Sequence, residues 1–227
     1  MAALLTLHHV VKEYPGGVTA LAGVSLAIRS GELVAIVGPS GSGKTTLLQI
    51  MGTLDRPSRG EVVIDGFDIG AASDDQLSAL RARRIGFVFQ QFYLLDGMSA
   101  VDNVAGGLLY SGHPLAERRR RAREALERVG LGHRLDHRPT QLSGGEKQRT
   151  AIARALVGRP SIVFADEPTG ALDSRTGASI IELLSELNEA GTTIVVITHD
   201  NELAERFPRR VAMRDGEIVH DDDLVAA

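Results

Sequence analysis

The stretch from Leu33 to Met51 constrains the fold of this chain more than any other. An unbroken apolar run, Leu33-Val34-Ala35-Ile36-Val37, leads into Gly38-Pro39-Ser40-Gly41-Ser42-Gly43-Lys44-Thr45 and then into Thr46-Leu47-Leu48-Gln49-Ile50-Met51. A run with no polar alternation reads as a strand covered on both faces, and the segment after the loop reads as a helix start. The loop between them fits G-x-x-x-x-G-K-[ST] without a mismatch. Its glycines let the backbone curl so that successive N–H groups point at phosphate oxygens, and the helix N-terminus adds partial positive charge. In such a loop Lys44 reaches the β- and γ-phosphates and the Thr45 hydroxyl holds Mg²⁺. Every residue from Gly38 to Thr46 is therefore a candidate nucleotide contact.

A second apolar run, Ile162-Val163-Phe164-Ala165, ends in the carboxylates Asp166 and Glu167. At a strand tip beside a phosphate loop, Asp166 would hold Mg²⁺ through water and Glu167 would take the proton of the attacking water. Alone, such a strand running into an acidic turn would be unremarkable. Between the two motifs lies Leu142-Ser143-Gly144-Gly145-Glu146-Lys147-Gln148-Arg149. Ser143 is a good N-cap with Glu146 three residues later, as in a capping box, so a plain helix start is one reading. Two consecutive glycines at a helix entrance cost stability relative to alanine, which favours a backbone that approaches a ligand closely.

The remaining pattern alternates strands with helices. Leu4–Val10 and Val24–Ile28 read as strands around a Pro15-Gly16-Gly17 turn, Glu61–Ile64 as a strand ending in a turn, and Ile85–Phe89 as a buried strand. From about Ser99 to Gly158 the pattern is helical, with Ala122, Ala125, Leu126 and Val129 spaced for one face of a helix over Glu117–Val129. Ser161–Ala165 and Thr193–Ile197 read as strands on either side of an amphipathic helix over Ser174–Ala190. This order predicts a parallel sheet covered on both faces. Arg118-Arg119-Arg120-Arg121 reads as a solvated helix face and His220-Asp221-Asp222-Asp223 as a solvated end of the chain. His133 and His137 flank Asp136 at helical spacing without a supporting cluster, so metal ligation is not expected there.

Composition narrows the function classes. The chain has 227 residues, 43% of them hydrophobic and 24% charged, which is ordinary for a globular domain. A net charge of −4 supplies no general basic field, so nucleic acid is not an expected partner. The absence of cysteine excludes disulfides, thiolate metal sites and a cysteine nucleophile. The N-terminal residues lack a basic leader with a long apolar core, and no run of 18 apolar residues exists, so a role at a membrane would need another chain for the membrane part.

Taken in order, these motifs resemble the nucleotide-binding subunits of ATP-binding cassette (ABC) transporters, over essentially the whole length. The family signature LSGGQ is matched by Leu142-Ser143-Gly144-Gly145-Glu146, the Q-loop by Phe89-Gln90, and the D-loop by Ala171-Leu172-Asp173 with Gly170 where serine is usual. His199, just past the strand Thr193–Ile197, matches the switch histidine, and Tyr14 matches the aromatic that stacks on adenine. The resemblance implies a P-loop NTPase core with a mostly parallel sheet, an N-terminal antiparallel β layer and an inserted helical subdomain over about residues 91–158, all within one domain spanning 1–227. It implies ATP and Mg²⁺ as ligands. Lys44, Gln90, Glu167 and His199 would be the catalytic set, with Thr45, Gln90 and Asp166 at the metal. Tyr14, Ser143, Gly145, Glu146 and Asp173 would be further nucleotide contacts.

It also implies a head-to-tail homodimer with each ATP held between Gly38–Thr45 of one copy and Ser143–Gly145 of the other. The apolar segment Phe92-Tyr93-Leu94-Leu95 would help receive a separate transmembrane permease at the inner face of the cell membrane. The residues around Phe87–Gln90, Asp136–Pro139 and Glu167–Asp173 look most like the branch of macrolide-export and lipoprotein-release ATPases, which implies export or mechanical work in the envelope. A regulatory ATPase that signals through a membrane protein to cell-wall enzymes would share every one of these residues.

Overall fold

In the computed structural model of the chain, which describes residues 3–225, two sheets and a set of helices enclose two apolar cores. The chain opens with β1 (Ala3–Tyr14) and β2 (Val18–Arg29), then runs through β3 (Leu33–Val37) into α1 (Lys44–Met51). β4 (Arg59–Ile64) and β5 (Phe67–Asp68) complete an antiparallel sheet of order β2-β1-β4-β5. Next come α2 (Asp74–Arg84), β6 (Ile85–Val88), α3 (Ala100–Ala105), α4 (Leu115–Arg128) and α5 (Gly144–Leu156). The chain continues with β7 (Ile162–Asp166), α6 (Ser174–Glu189), β8 (Thr193–Thr198) and α7 (Asn201–Ala204), and finishes with β9 (Arg209–Arg214), β10 (Glu217–Asp221) and α8 (Asp222–Val225).

The second sheet has the order β10-β9-β3-β8-β7-β6. Its pairings are parallel except β10 against β9. Successive side chains of a strand point to opposite faces, and both faces of this sheet are covered. Leu33, Ala35 and Val37 of β3 join the core under α3 to α6, whereas Val34 and Ile36 join the core shared with α1 and the antiparallel sheet. Burial on both sides is why β3, β7 and β8 carry unbroken apolar runs.

The expected β–α alternation, antiparallel N-terminal layer and helical stretch before β7 are all present. On α4 the spacing holds, with Ala122, Ala125 and Leu126 buried. The arginine run beside them is held by ion pairs: Arg120 and Arg121 bind Glu117, and Arg119 binds Asp102. Arg120, with Arg121, draws the Glu117 carboxyl down to about 2.

Two readings need correction. The first two strands are each 12 residues long, well beyond the predicted bounds, because register shifts let polar positions such as Lys12 and Glu13 stay paired. The acidic end is not simply solvated. Asp221 is buried and receives two hydrogen bonds, at 2.9 and 2.7 Å, from the equally buried Arg209. Asp223 pairs with Arg29 at 2.8 Å, and Asp222 accepts from the Arg210 backbone N–H. A buried guanidinium needs charged partners, and this segment supplies them.

Candidate active site

The parallel register fixes which loops meet. Val37 pairs with Thr198, Ile197 with Asp166, and Ala165 with Val88. The strand tips of β3, β8, β7 and β6 therefore lie side by side, and they lead respectively into Gly38–Thr45, His199, Glu167 and Gln90. The carboxyl edge of such a sheet is where α/β proteins place their ligands.

The loop after β3 is shaped by contacts that only glycine allows. A Cβ on Gly38 would lie 2.3 Å from the Met213 carbonyl oxygen. Gly43 takes φ 97° as the N-cap of α1, and a Cβ there would lie 2.5 Å from the Ala20 oxygen. Gly41, at φ 82°, faces open space. Lys44 folds back along the loop and donates through Nζ to the carbonyls of Gly38 at 2.6 Å and Pro39 at 2.9 Å. Burial pushes the Lys44 ammonium below its usual pKa, and the charges of Glu167 and Asp166 oppose that shift. Ser42 Oγ is buried without a hydrogen-bond partner.

Glu167 is held with care. Its φ of 46° lies in the left-handed region, which costs a non-glycine residue about 1–3 kcal/mol. Several bonds offset that strain. The Glu167 backbone N–H donates to the Ile197 carbonyl at 2.9 Å. Oε1 accepts the His199 backbone N–H at 2.9 Å and lies 2.7 Å from His199 Nδ1, while Oε2 accepts the Thr198 hydroxyl at 3.2 Å. A carboxylate only accepts, so Nδ1 is the protonated ring nitrogen and Nε2 is left free to face a ligand. The imidazole itself is largely exposed. Gln90 lies against the Glu167–Gly170 turn: a Cβ on Gly170 would sit 2.8 Å from Gln90 Nε2. Glycine at position 170 leaves the space that Gln90 takes.

Burial, reinforced by the Glu167 charge, raises the Asp166 carboxyl above the usual range, and Lys44 partly opposes this. A carboxyl whose folded pKa exceeds its unfolded one favours folding most at low pH. That contribution is lost as pH rises through the folded value, so ionised Asp166 costs stability at neutral pH. Asp166→Asn is therefore expected to raise the neutral-pH Tm of the nucleotide-free protein by about 2–4 °C, the shift that roughly 1 kcal/mol produces in a chain of this length. The gain should vanish in melts at acid pH. A lower Tm at neutral pH would contradict this account of the site.

The sequence-predicted residues around α5 form a separate group. Ser143 caps α5, its Oγ accepting the Glu146 N–H at 3.3 Å while Glu146 Oε2 accepts the Ser143 N–H at 2.9 Å. The twin glycines also have a packing reason. A Cβ on Gly144 would meet Leu172 at 3.1 Å, and one on Gly145 would meet Thr176 at 2.6 Å. Asp173, the predicted D-loop contact, is the N-cap of α6, bound by the backbone N–H and hydroxyl of Thr176 at 3.0 and 2.6 Å. The side chains of Ser143 and Glu146 bond to each other's backbone N–H and, for Glu146, to Arg134, none of them in the 38–45 loop. Ala155, near the other end of α5, lies against Gly86 of the edge strand β6, while the Ser143 end lies against Leu172 and Thr176.

Tyr14 lies apart from the strand tips, in the antiparallel sheet. Its hydroxyl donates to Asp55 at 3.2 Å, and the Lys12 ammonium sits 5.0 Å from the ring centroid. Lys12 also binds Asp55 at 2.7 Å, and the Asp55 N–H donates to Gln49 at the end of α1. The ring is thus tied to the far end of the helix that the phosphate loop begins.

Two residues escaped the sequence reading. Gln148 is fully buried and donates to the Pro168 carbonyl at 2.7 Å, joining α5 to the turn that carries Glu167. Its signal was a polar residue at helical spacing from buried Ile152 and Ala155. Arg154 donates to the carbonyls of Phe92 and Tyr93, fixing the segment after Gln90. No sequence pattern announces that contact.

The hard oxygen donors at the strand tips suit a divalent cation such as Mg²⁺, and the open glycine cradle with an orphan hydroxyl suits a phosphate group. Known proteins point the same way. The chain is 55% identical over 221 residues to the macrolide export ATP-binding/permease protein MacB of Chlorobium luteolum, matching 96% of this chain and 33% of that protein. It spans about a third of the length of the MacB relatives it matches. It is 51% identical to an ABC transporter ATP-binding protein of Thermotoga maritima, covering 96% of this chain and 94% of that protein. Among solved structures it resembles the ATP-binding cassette MJ0796, determined as a dimer in a post-hydrolysis state with ADP and Pi. The TM-score is 0.85 at 45% identity, with 96% of this chain and 97% of that one covered. The sequence profile of the family described as ABC transporter matches residues 21–170, and with the strand-tip geometry this establishes that the chain belongs to the ABC transporter family, as its ATP-hydrolysing cassette.

Proposed function

We propose that two copies of this chain close head-to-tail on two ATP molecules and thereby drive a separate membrane permease. The observation that carries this reading is the meeting of Lys44, Asp166, Glu167 and His199 at neighbouring strand tips, with the Ser143 and Glu146 side chains bonded to each other's backbone and, for Glu146, to Arg134 rather than to the 38–45 loop. A second copy would supply that helix end to the γ-phosphate. Lys44 and the loop amides would hold the β- and γ-phosphates, and Tyr14 would stack on adenine. Thr45, Asp166 and Gln90 would hold Mg²⁺, which when bound neutralises charge on the phosphate oxygens. Glu167 takes the proton from the attacking water through the carboxylate that His199 and Thr198 orient. His199 Nε2 then faces the γ-phosphate, where charge develops during transfer.

No helix among the described residues is long and apolar enough to cross a membrane. The surface that supports docking lies after Gln90. Tyr93 and Leu95 are each about 60% exposed, at 62% and 60%. Tyr93, with Phe87, Phe89 and Arg81, borders a groove that Arg154 also lines while holding the Tyr93 carbonyl. An apolar groove beside Gln90 would link partner movement to the nucleotide site. On this reading the protein works at the inner face of the cell membrane, powering export or mechanical work in the envelope. The test is affinity capture of the tagged chain from solubilised host membranes. A polytopic membrane protein should be retained by the wild-type chain and lost with Tyr93→Asp. Retention of the same protein by both chains, or of none by either, would overturn the docking surface.

A further inference from the structure

The helix end that would meet the partner's ATP carries a charge that works against it. α5 is 13 residues long and is capped by Ser143, so its first N–H groups are suited to an anion. Yet Glu146 stands in that first turn, where the family signature has a neutral glutamine. Asp173, capping the adjoining α6, puts a second carboxylate on the same surface, because Thr176 of α6 touches Gly145. A triphosphate approaching Ser143–Gly145 would meet two negative groups.

The structure shows how Glu146 is managed. Its Oε2 accepts the Ser143 N–H, and its Oε1 accepts Arg134 Nε at 2.8 Å. Arg134 comes from the connection between α4 and α5, which closes on itself: the Arg134 N–H donates to Leu131 and the Arg134 carbonyl accepts the His137 N–H. The guanidinium also lies 3.1 Å from His137 Nε2, so it is braced from a second side. Both members of the pair are partly buried, which makes the pairing stronger than that of two freely exposed groups. The Glu146 carboxyl is held below the usual range by the Ser143 N–H and by Arg134, and so stays charged.

We propose that Arg134 is a positioning residue for ATP-driven pairing: it neutralises Glu146 and holds that carboxylate back, so that a phosphate of the second copy's ATP can take the α5 helix end. This rests on the reading that Ser143–Gly145 meets the nucleotide of a second copy. Arg134 would act through Glu146.

A double-mutant cycle on the full chain tests it, reading the ATP concentration at half-maximal dimer formation together with kcat and KM. With glutamate at position 146, Arg134→Ala should raise the ATP needed by about tenfold. With Glu146→Gln present, the same change should cost less than about twofold, since no charge is left to neutralise. The single-variant deficit should shrink as salt rises, because a repulsion is screened and a packing defect is not. An Arg134→Ala chain with wild-type pairing, or an equal deficit with either residue at 146, would overturn the proposal. Should Arg134→Ala fail to fold, Arg134→Lys carries the test: the retained charge should keep pairing within about threefold of wild type, and a tenfold loss in a folded Arg134→Lys chain would overturn it. Ser143→Arg separates this from the reading beneath it. Normal turnover with Ser143→Arg would sink the shared ATP site itself, whereas a dead Ser143→Arg beside an unaffected Arg134→Ala would sink only the role of Arg134.

Discussion

Glu167→Gln is expected to lower kcat for ATP hydrolysis by about 10²–10⁴, the usual worth of a positioned general base, while leaving ATP affinity close to wild type. Glutamine has the same shape, and its amide oxygen can still accept from the His199 N–H and Nδ1–H that now bind Oε1 at 2.9 and 2.7 Å. What it cannot do is take a proton. The change therefore isolates chemistry from positioning, and phosphate release at saturating ATP beside a fluorescent-ATP titration reads the two separately. A kcat within tenfold of wild type would mean that the group taking the proton is not Glu167.

Lys44→Ala should act on the other term. Two hydrogen bonds from an ammonium to phosphate oxygens, each worth about 1.5–3 kcal/mol, predict a loss of ATP affinity of about a hundredfold or more. The site geometry adds to this. The charges of Asp166 and Glu167 both act on the Lys44 ammonium. Without it, a triphosphate would approach Asp166 and Glu167 with no ammonium beside them. Equilibrium titration with labelled ATP measures the effect, and an unchanged Kd would remove Lys44 from the phosphate site.

Much of the architecture was legible because burial on both faces leaves a plain mark. β3, β7 and β8 are continuous apolar runs for the reason that their alternate residues enter different cores. The phosphate loop was legible because backbone curvature demands glycine at fixed spacing, and Gly38 and Gly43 sit where a Cβ would strike backbone oxygens. Other elements were passed over although their local signals existed. α2 has Ser73 and Gln76 in a reciprocal capping box, acidic residues in its first turn and arginines in its last. Only Leu77 and Leu80 of it are buried, so the apolar periodicity was too thin to point to a helix. The β9–β10 hairpin turns at Asp215-Gly216, both with positive φ, a dipeptide that signals a hairpin and was passed over.

Other features belong to tertiary structure alone. Nothing local says that Asp221 will be buried by Arg209, 12 positions earlier. Nor does the sequence show that Arg154 will reach back across more than 60 positions to the carbonyls of Phe92 and Tyr93. The order of the strands is likewise invisible in the sequence. The phosphate loop and the two carboxylates looked like neighbours, but β8 runs between their strands, and it is this strand that delivers His199 to Glu167. Family resemblance identified the histidine; the sheet order explains why it must follow β8.

The central claim is that each ATP is gripped by the lysine loop of one chain and the twin-glycine helix of another. Sedimentation of the Glu167→Gln chain, with and without saturating ATP, tests it most directly. Twice the single-chain mass with ATP, reverting when Ser143→Arg is added, is the predicted result. A single-chain mass at saturating ATP, or a dimer indifferent to Ser143→Arg, would contradict it.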